Sequence, residues 1–230
     1  MAHVRSVAIV LALGIIALAG YGAVAEKSAA PPAGAATAAA PAAADKEPGF
    51  VALFNGKDLT GWEGDAKLWI VENGVLIGRS PGIKYNDFLA TTKRYGDFIL
   101  RLEIKLVDNK GNTGVQFRSE RVPDSHEVAG FQADWAPGWH CKLYDEARRK
   151  KVLVAPDAEV LAKTLKPTDW NDYEVQAVGD KITLTLNGVK MIEYTETDPK
   201  IARTGIIATQ IHAGTPMEVQ FRNIRVKELK

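Results

Sequence analysis

Between Asp97 and Val107 the chain reads DFILRLEIKLV, with Phe98, Leu100, Leu102, Ile104 and Leu106 alternating with Ile99, Arg101, Glu103 and Lys105. A period of two over that length describes a half-buried strand; on a helix the same apolar residues would scatter around the cylinder. Lys181–Leu186 (KITLTL) repeats the pattern. Asn187-Gly188 and then Val189–Tyr194 follow it, a hairpin signal, because that dipeptide accepts the positive φ a two-residue turn demands. Asn73-Gly74, between Lys67–Val71 and Val75–Gly78, reads the same way. Further strands are expected at Val51–Phe54, Phe88–Thr91, Thr113–Arg118, Val128–Asp134, Lys142–Tyr144, Val152–Val154, Tyr173–Val178, Ile206–Ile211 and Met217–Leu229. In the last of these the apolar row slips phase between Phe221 and Ile224, which calls for a bulge near Arg222-Asn223. Only Ala158–Leu165 reads as a helix. About a dozen strands without crossover helices predict an all-β fold, an antiparallel two-sheet sandwich of the jelly-roll type.

The first 48 residues stand apart from this pattern. Arg5 precedes an apolar run from Val7 to Gly20, and Ala23-Val24-Ala25 supplies the small-x-small pattern of a signal-peptidase site. Residues 1–25 therefore read as a signal peptide, and the protein as exported, to a periplasm or beyond. Contact with a membrane is expected only if that segment is retained. Residues 26–48 are rich in Ala and Pro and lack large apolar groups, the composition of a disordered spacer. The folded domain is expected over 49–230. Its partner is not nucleic acid, since 29 Lys+Arg nearly cancel 28 Asp+Glu and the longest basic run is Arg148–Lys151, read as a solvated hairpin tip. The single cysteine, Cys141, excludes an intrachain disulfide framework and a multi-cysteine zinc site.

No nucleophile elbow, phosphate-binding loop, dinucleotide fingerprint or His-Glu-x-x-His occurs. Function has to come from scattered polar groups among aromatics, and the richest stretch is Thr113–Asp145. Alternation places Gln116 with Arg118, and Gln132 with Asp134, on shared strand faces. Trp135, Trp139, His140 and Tyr144 surround them in sequence. Amides, a carboxylate and a guanidinium beside aromatic rings suit a sugar, whose hydroxyls take hydrogen bonds while its C–H faces stack. A structural ion pair of Arg118 with Asp134, and ordinary packing of Trp135 and Trp139, are the plainer alternatives. Gln132 resists a plain explanation, being a strand-interior amide flanked by apolar residues. His212, at the end of the Ile206–Ile211 strand two residues after Gln210, is a candidate general acid or base. Asp145 and Glu146 point to opposite faces, so at most one shares a cleft with Tyr144. Asp108–Asn112 reads as a plain turn rather than a calcium loop.

Several blocks in order resemble one family: FNGKDLTGW (54–62), GVQFR (114–118), GFQAD (130–134), KLYDE (142–146), DWN (169–171), LNG (186–188), GIIATQIH (205–212) and VQFRNI (219–224). Together they resemble the 3-keto-disaccharide hydrolase domain family over Gly49 to Lys230. The resemblance implies a concanavalin A/laminin-G-like sandwich and cleavage of glycosides oxidised at C3. A C3 carbonyl acidifies the C2 proton, so a base can form an enolate that expels the C1 oxygen, and water then adds to the enone. The implied roles are base for Asp134 or His212, enolate stabiliser for Arg118, and acid for Tyr144 or His212. Gln132, Gln116, Trp135, Trp139 and Gln210 would hold the sugar. The route calls for no cofactor, although a divalent cation would do Arg118's work. The competing class on the same fold is a non-catalytic, lectin-like carbohydrate-binding module.

Overall fold

The computed structural model describes residues 47–230. The expected signal peptide and nearly all of the expected spacer lie outside the described residues. Fifteen strands and one helix follow in order: β1 (Val51–Ala52), β2 (Trp62–Glu63), β3 (Trp69–Glu72), β4 (Val75–Ser80), β5 (Asp87–Thr91), β6 (Phe98–Leu106), β7 (Thr113–Arg121), β8 (Val128–Trp135), β9 (Leu143–Glu146), β10 (Lys151–Val154), α1 (Ala158–Thr164), β11 (Asn171–Val178), β12 (Lys181–Leu186), β13 (Val189–Thr195), β14 (Ile206–Ile211) and β15 (Met217–Glu228). One sheet runs β13-β12-β11-β6-β15-β4-β3, with β1 also on β15; the other runs β10-β9-β8-β7-β14-β5-β2. All pairings are antiparallel. The all-β, two-sheet sandwich expected from the alternation is the observed fold.

The alternation of β6 does what its spacing requires. Phe98, Leu100, Leu102, Ile104 and Leu106 are buried against the second sheet, while Ile99, Arg101, Glu103 and Lys105 are half-exposed. From the second sheet, Val115, Phe117, Phe131, Ala133, Trp135, Leu143, Ile207 and Ile211 meet that row. Asn187 and Gly188 take φ of 47° and 80°, and Asn73 and Gly74 take 51° and 79°, the two positive values of a type I′ turn. The β15 bulge lies where the phase slip put it: register with β6 shifts between Arg222 and Arg225, and Asn223 has φ 53°.

Two boundaries move. Glu47 accepts hydrogen bonds from Arg101 and Arg225, so the domain begins before Gly49, inside the expected spacer. The Arg148–Lys151 tip is not fully solvated either. Arg148 and Arg149 fold back onto Asp145, which is wholly buried, and Arg149 also reaches Glu196 at 2.6 Å. A buried carboxylate is costly without partners, and these two guanidiniums supply them.

Candidate functional site

Part of the outer face of the second sheet is a row of polar side chains that are buried. Antiparallel register aligns Tyr144 with Gln132, Gln132 with Gln116, and Gln116 with Ala208 across β9, β8, β7 and β14. One step along the strands lie Asp134, opposite Gly114, and Gln210. Gln116, Gln132, Asp134 and Gln210 are all buried. A chain of hydrogen bonds joins the three glutamines: Ser119 Oγ donates to Gln116 Oε1 (3.0 Å), Gln116 Nε2 to Gln132 Oε1 (3.3 Å), and Gln132 Nε2 to Gln210 Oε1 (2.8 Å). The last bond crosses β7, and glycine makes it feasible. A Cβ on Gly114 would stand 2.2 Å from Gln132 Nε2. This network accounts for the strand-interior Gln132, and it leaves Gln210 Nε2 buried without an acceptor.

Above this floor is a cleft of about 160 Å³ lined by Asn112, Gln132, Asp134, Trp139, Tyr144, Glu146, Gln210 and His212. Burial pushes the Asp134 carboxyl up to about 7, against the opposing hydrogen bond from the Trp135 amide (3.1 Å). Burial also raises Glu146, helped by the nearby charge of Glu127, and raises the Tyr144 hydroxyl, helped by Glu146 and Asp134. His212 Nδ1 lies 2.7 Å from the carbonyl of Ala213, which accepts, so Nδ1 carries the hydrogen and the neutral ring keeps its lone pair on Nε2. Trp139 is 39% exposed at the rim, edge-on to Tyr144 at 6.0 Å, with Lys142 Nζ 4.4 Å from its ring centre. The cleft thus holds a carboxyl balanced between two protonation states, a histidine, a phenol, an unpaired amide donor and an aromatic edge.

Six of the nine sequence-predicted residues line this cleft: Asp134, His212, Tyr144, Gln132, Trp139 and Gln210. Three do not. Gln116 lies on the same face but is covered, and its amide steadies Gln132. Trp135 alternates to the core, where its ring packs on Tyr173 (5.3 Å) and His140 (4.9 Å). Arg118 is the larger correction. Its φ is 47°, and the register of β7 with β8 shifts between Phe117 and Glu120, so it no longer shares the face of Gln116. Its guanidinium instead donates to the carbonyls of Gly96 (3.0 Å) and Gly179 (2.7 Å) and to Asp97 (2.7 Å). Strict alternation has no way to foresee that bulge. The cleft also contains Glu146 and Asn112, which sequence reasoning left aside. Two-residue spacing from Tyr144 was the available signal for Glu146, and it settles which of the adjacent carboxylates faces inward; Asn112 comes from the turn before β7.

The sequence profile of the 3-keto-alpha-glucoside-1,2-lyase-like domain matches residues 49–227. The chain belongs to that family. As a member, it sits in a carbohydrate-acting group, in agreement with the resemblance carried by the blocks from Phe54 to Ile224. No curated protein sequence matches the chain. Among solved structures, a Parabacteroides distasonis protein described as a candidate glycosyl hydrolase aligns with a TM-score of 0.64 and 23% identity, over 81% of this chain and 96% of its own. A second protein of the same description and organism aligns with a TM-score of 0.58 and 22% identity, over 78% and 99%. A Bacillus subtilis protein of unknown function with a galectin-like fold aligns with a TM-score of 0.50 and 10% identity, over 78% and 94%. At these identities the likeness is one of fold.

Proposed function

We propose that this family member cleaves 3-keto-glycosides by removing the C2 proton, with Asp134 as the base. The observation that carries the reading is a cleft-lining carboxyl raised to about 7 beside a buried amide donor that lacks an acceptor. A base is most effective when its pKa lies near the working pH. Asp134 takes the C2 proton, and the C–H electron pair forms the C2–C3 double bond of an enolate. The Gln210 Nε2–H donates to the enolate oxygen, the role implied for Arg118, whose guanidinium is instead engaged by Gly96, Gly179 and Asp97. The enolate collapses and expels the C1 oxygen, which takes the proton of the Tyr144 hydroxyl. Water then adds at C1 of the enone, returning a proton to Tyr144 while Asp134 returns one to C2. His212 Nε2 is the alternative base. The paired carboxylates of ordinary glycosidases have no part in this route.

Replacing Asp134 by Asn keeps the shape and removes the basic lone pair. Turnover of a 3-keto-glucoside falls about 10²- to 10⁴-fold, while its binding, read by calorimetry, changes far less. In the unsubstituted protein kcat/KM rises with pH up to about 7, as the Asp134 carboxyl deprotonates, and D134N lacks that limb. Undiminished turnover in D134N with a large loss in His212→Gln would make His212 the base. The exposed Trp139 ring favours a second reading, a carbohydrate-binding module; it prevails if the sugar binds and is never cleaved. We also place the reaction outside the cytoplasm, on the strength of Arg5, the apolar run and Ala23-Val24-Ala25. N-terminal sequencing of the protein from its native cell then starts at Glu26; a chain starting at Met1 contradicts cleavage, and one recovered from the cytoplasm contradicts export.

A further inference from the structure

Beside the cleft lies a second, larger cavity of about 380 Å³, between α1 and the segment that leads into β9. Ala155, Pro156, Leu161 and Leu165 make one side of it apolar, and His140 and Lys142 form the other. Nothing in the mechanism above uses it. Its apolar wall is only partly covered: no side chain of α1 is buried, and Leu161 and Leu165 pack against the core on one side while staying half-exposed where they line the cavity. An apolar group in that space would complete their burial.

The two cavities share a wall. Trp139 lines the cleft, Lys142 lines the apolar cavity, and the Lys142 ammonium stands over the Trp139 ring at 4.4 Å. The Asp134 amide donates to the Lys142 carbonyl (2.9 Å), so the junction is close to the reacting end of the cleft. The cleft by itself is well below the roughly 300 Å³ at which small-ligand sites begin, whereas the neighbouring cavity exceeds it. A sugar ring alone suits the first and a flat apolar group suits the second. His140 adds one polar contact: it is buried, its Nε2 lacks a partner, and burial pushes it down to about 4, so at neutral pH it is an uncharged imidazole.

Resting on the 3-keto-glycoside reading, we propose that this cavity is the aglycone subsite and that the substrates are 3-keto-glycosides of aromatic alcohols. The sugar occupies the cleft, the glycosidic oxygen lies over Trp139 and Lys142, and the aromatic ring enters between α1 and His140. The Lys142 cation at the junction complements the negative charge that a departing phenol oxygen develops. A small alcohol leaves the cavity empty, and its more basic oxygen relies on the Tyr144 proton instead.

Ala162→Trp fills the cavity from an exposed helical position, where the fold has nothing to lose, and Ala158→Trp does so independently. With unchanged melting temperatures, each variant raises KM for 4-nitrophenyl 3-keto-glucoside about tenfold, the effect of one displaced ring, and leaves methyl 3-keto-glucoside unaffected. Equal effects on both glycosides, or none on either, overturn the proposal. Calorimetric titration with 4-nitrophenol separates this from the catalytic reading. Binding that the variants abolish supports the subsite even if no glycoside is ever cleaved, and binding that they leave intact overturns it even if cleavage is confirmed.

Discussion

The outer faces of the two sheets are built from the same alternation and end in opposite states. On the first sheet, the residues between the apolar ones are charged, half-exposed and paired with each other: Arg101 Nε donates to Glu174 (2.6 Å) and Arg222 Nε to Glu103 (2.7 Å). Such pairs gain little, because water screens them and each side chain must be held still. On the second sheet the floor of the cleft is three buried amides hydrogen-bonded in series, with one donor left over, beside the buried carboxyl of Asp134. Out of water an unpartnered donor is costly and an ionised carboxyl more so. A solvated face tolerates almost any polar residue, whereas a closed one carries polar groups only where partners offset the cost, and here one donor has none. On that contrast rests our proposal that the second sheet is the working face.

The comparison sharpens under substitution. Arg118→Met has the largest expected effect on stability, about 2–4 kcal/mol in denaturant unfolding, since it strips two carbonyls of their side-chain donor and leaves Asp97 with only the Gly179 amide. Turnover per folded molecule stays within about twofold; a collapse in kcat at full folding would return Arg118 to the chemistry. Gly114→Ala comes next, at about 1–3 kcal/mol, because the new methyl group displaces the Gln132 amide from Gln210. Its kcat/KM falls about tenfold, and an unchanged kcat/KM would mean the amide chain does not orient the cleft. Arg101→Gln, on the first sheet, costs about 0–1 kcal/mol and leaves turnover alone. A larger activity loss there than in Gly114→Ala would dissolve the contrast between the faces.

How far the sequence reaches follows the same physics. Period-two alternation placed the β6 row, the Asn-Gly hairpins and the β15 bulge, because each is a local pattern with one low-energy solution. It also put Gln132 and Asp134 on one face, and both line the cleft. It failed at Arg118, where a bulge rotates the side chain. That bulge is seated by non-local contacts: a Cβ on Gly130 would stand 2.1 Å from Ser119 Oγ, and one on Gly205 2.3 Å from the Ser119 amide. Trp135 was misplaced for a simpler reason, since the aromatic character that suits a sugar suits a core equally well. Asn112 and the cavity under α1 depend on how distant segments meet, which no window of sequence contains.

The central claim is that a carboxyl on the closed face removes the C2 proton. Turning over a 3-keto-glucoside in deuterated water and reading the released sugar by NMR tests it directly. Proton abstraction by Asp134 followed by return from an exchanged carboxyl predicts deuterium at C2 of the product, and a D134N protein that neither cleaves nor exchanges that position. A product that keeps its original C2 hydrogen, from a C2-deuterated substrate that turns over no more slowly than the undeuterated one, would mean direct displacement at C1, and would contradict the account.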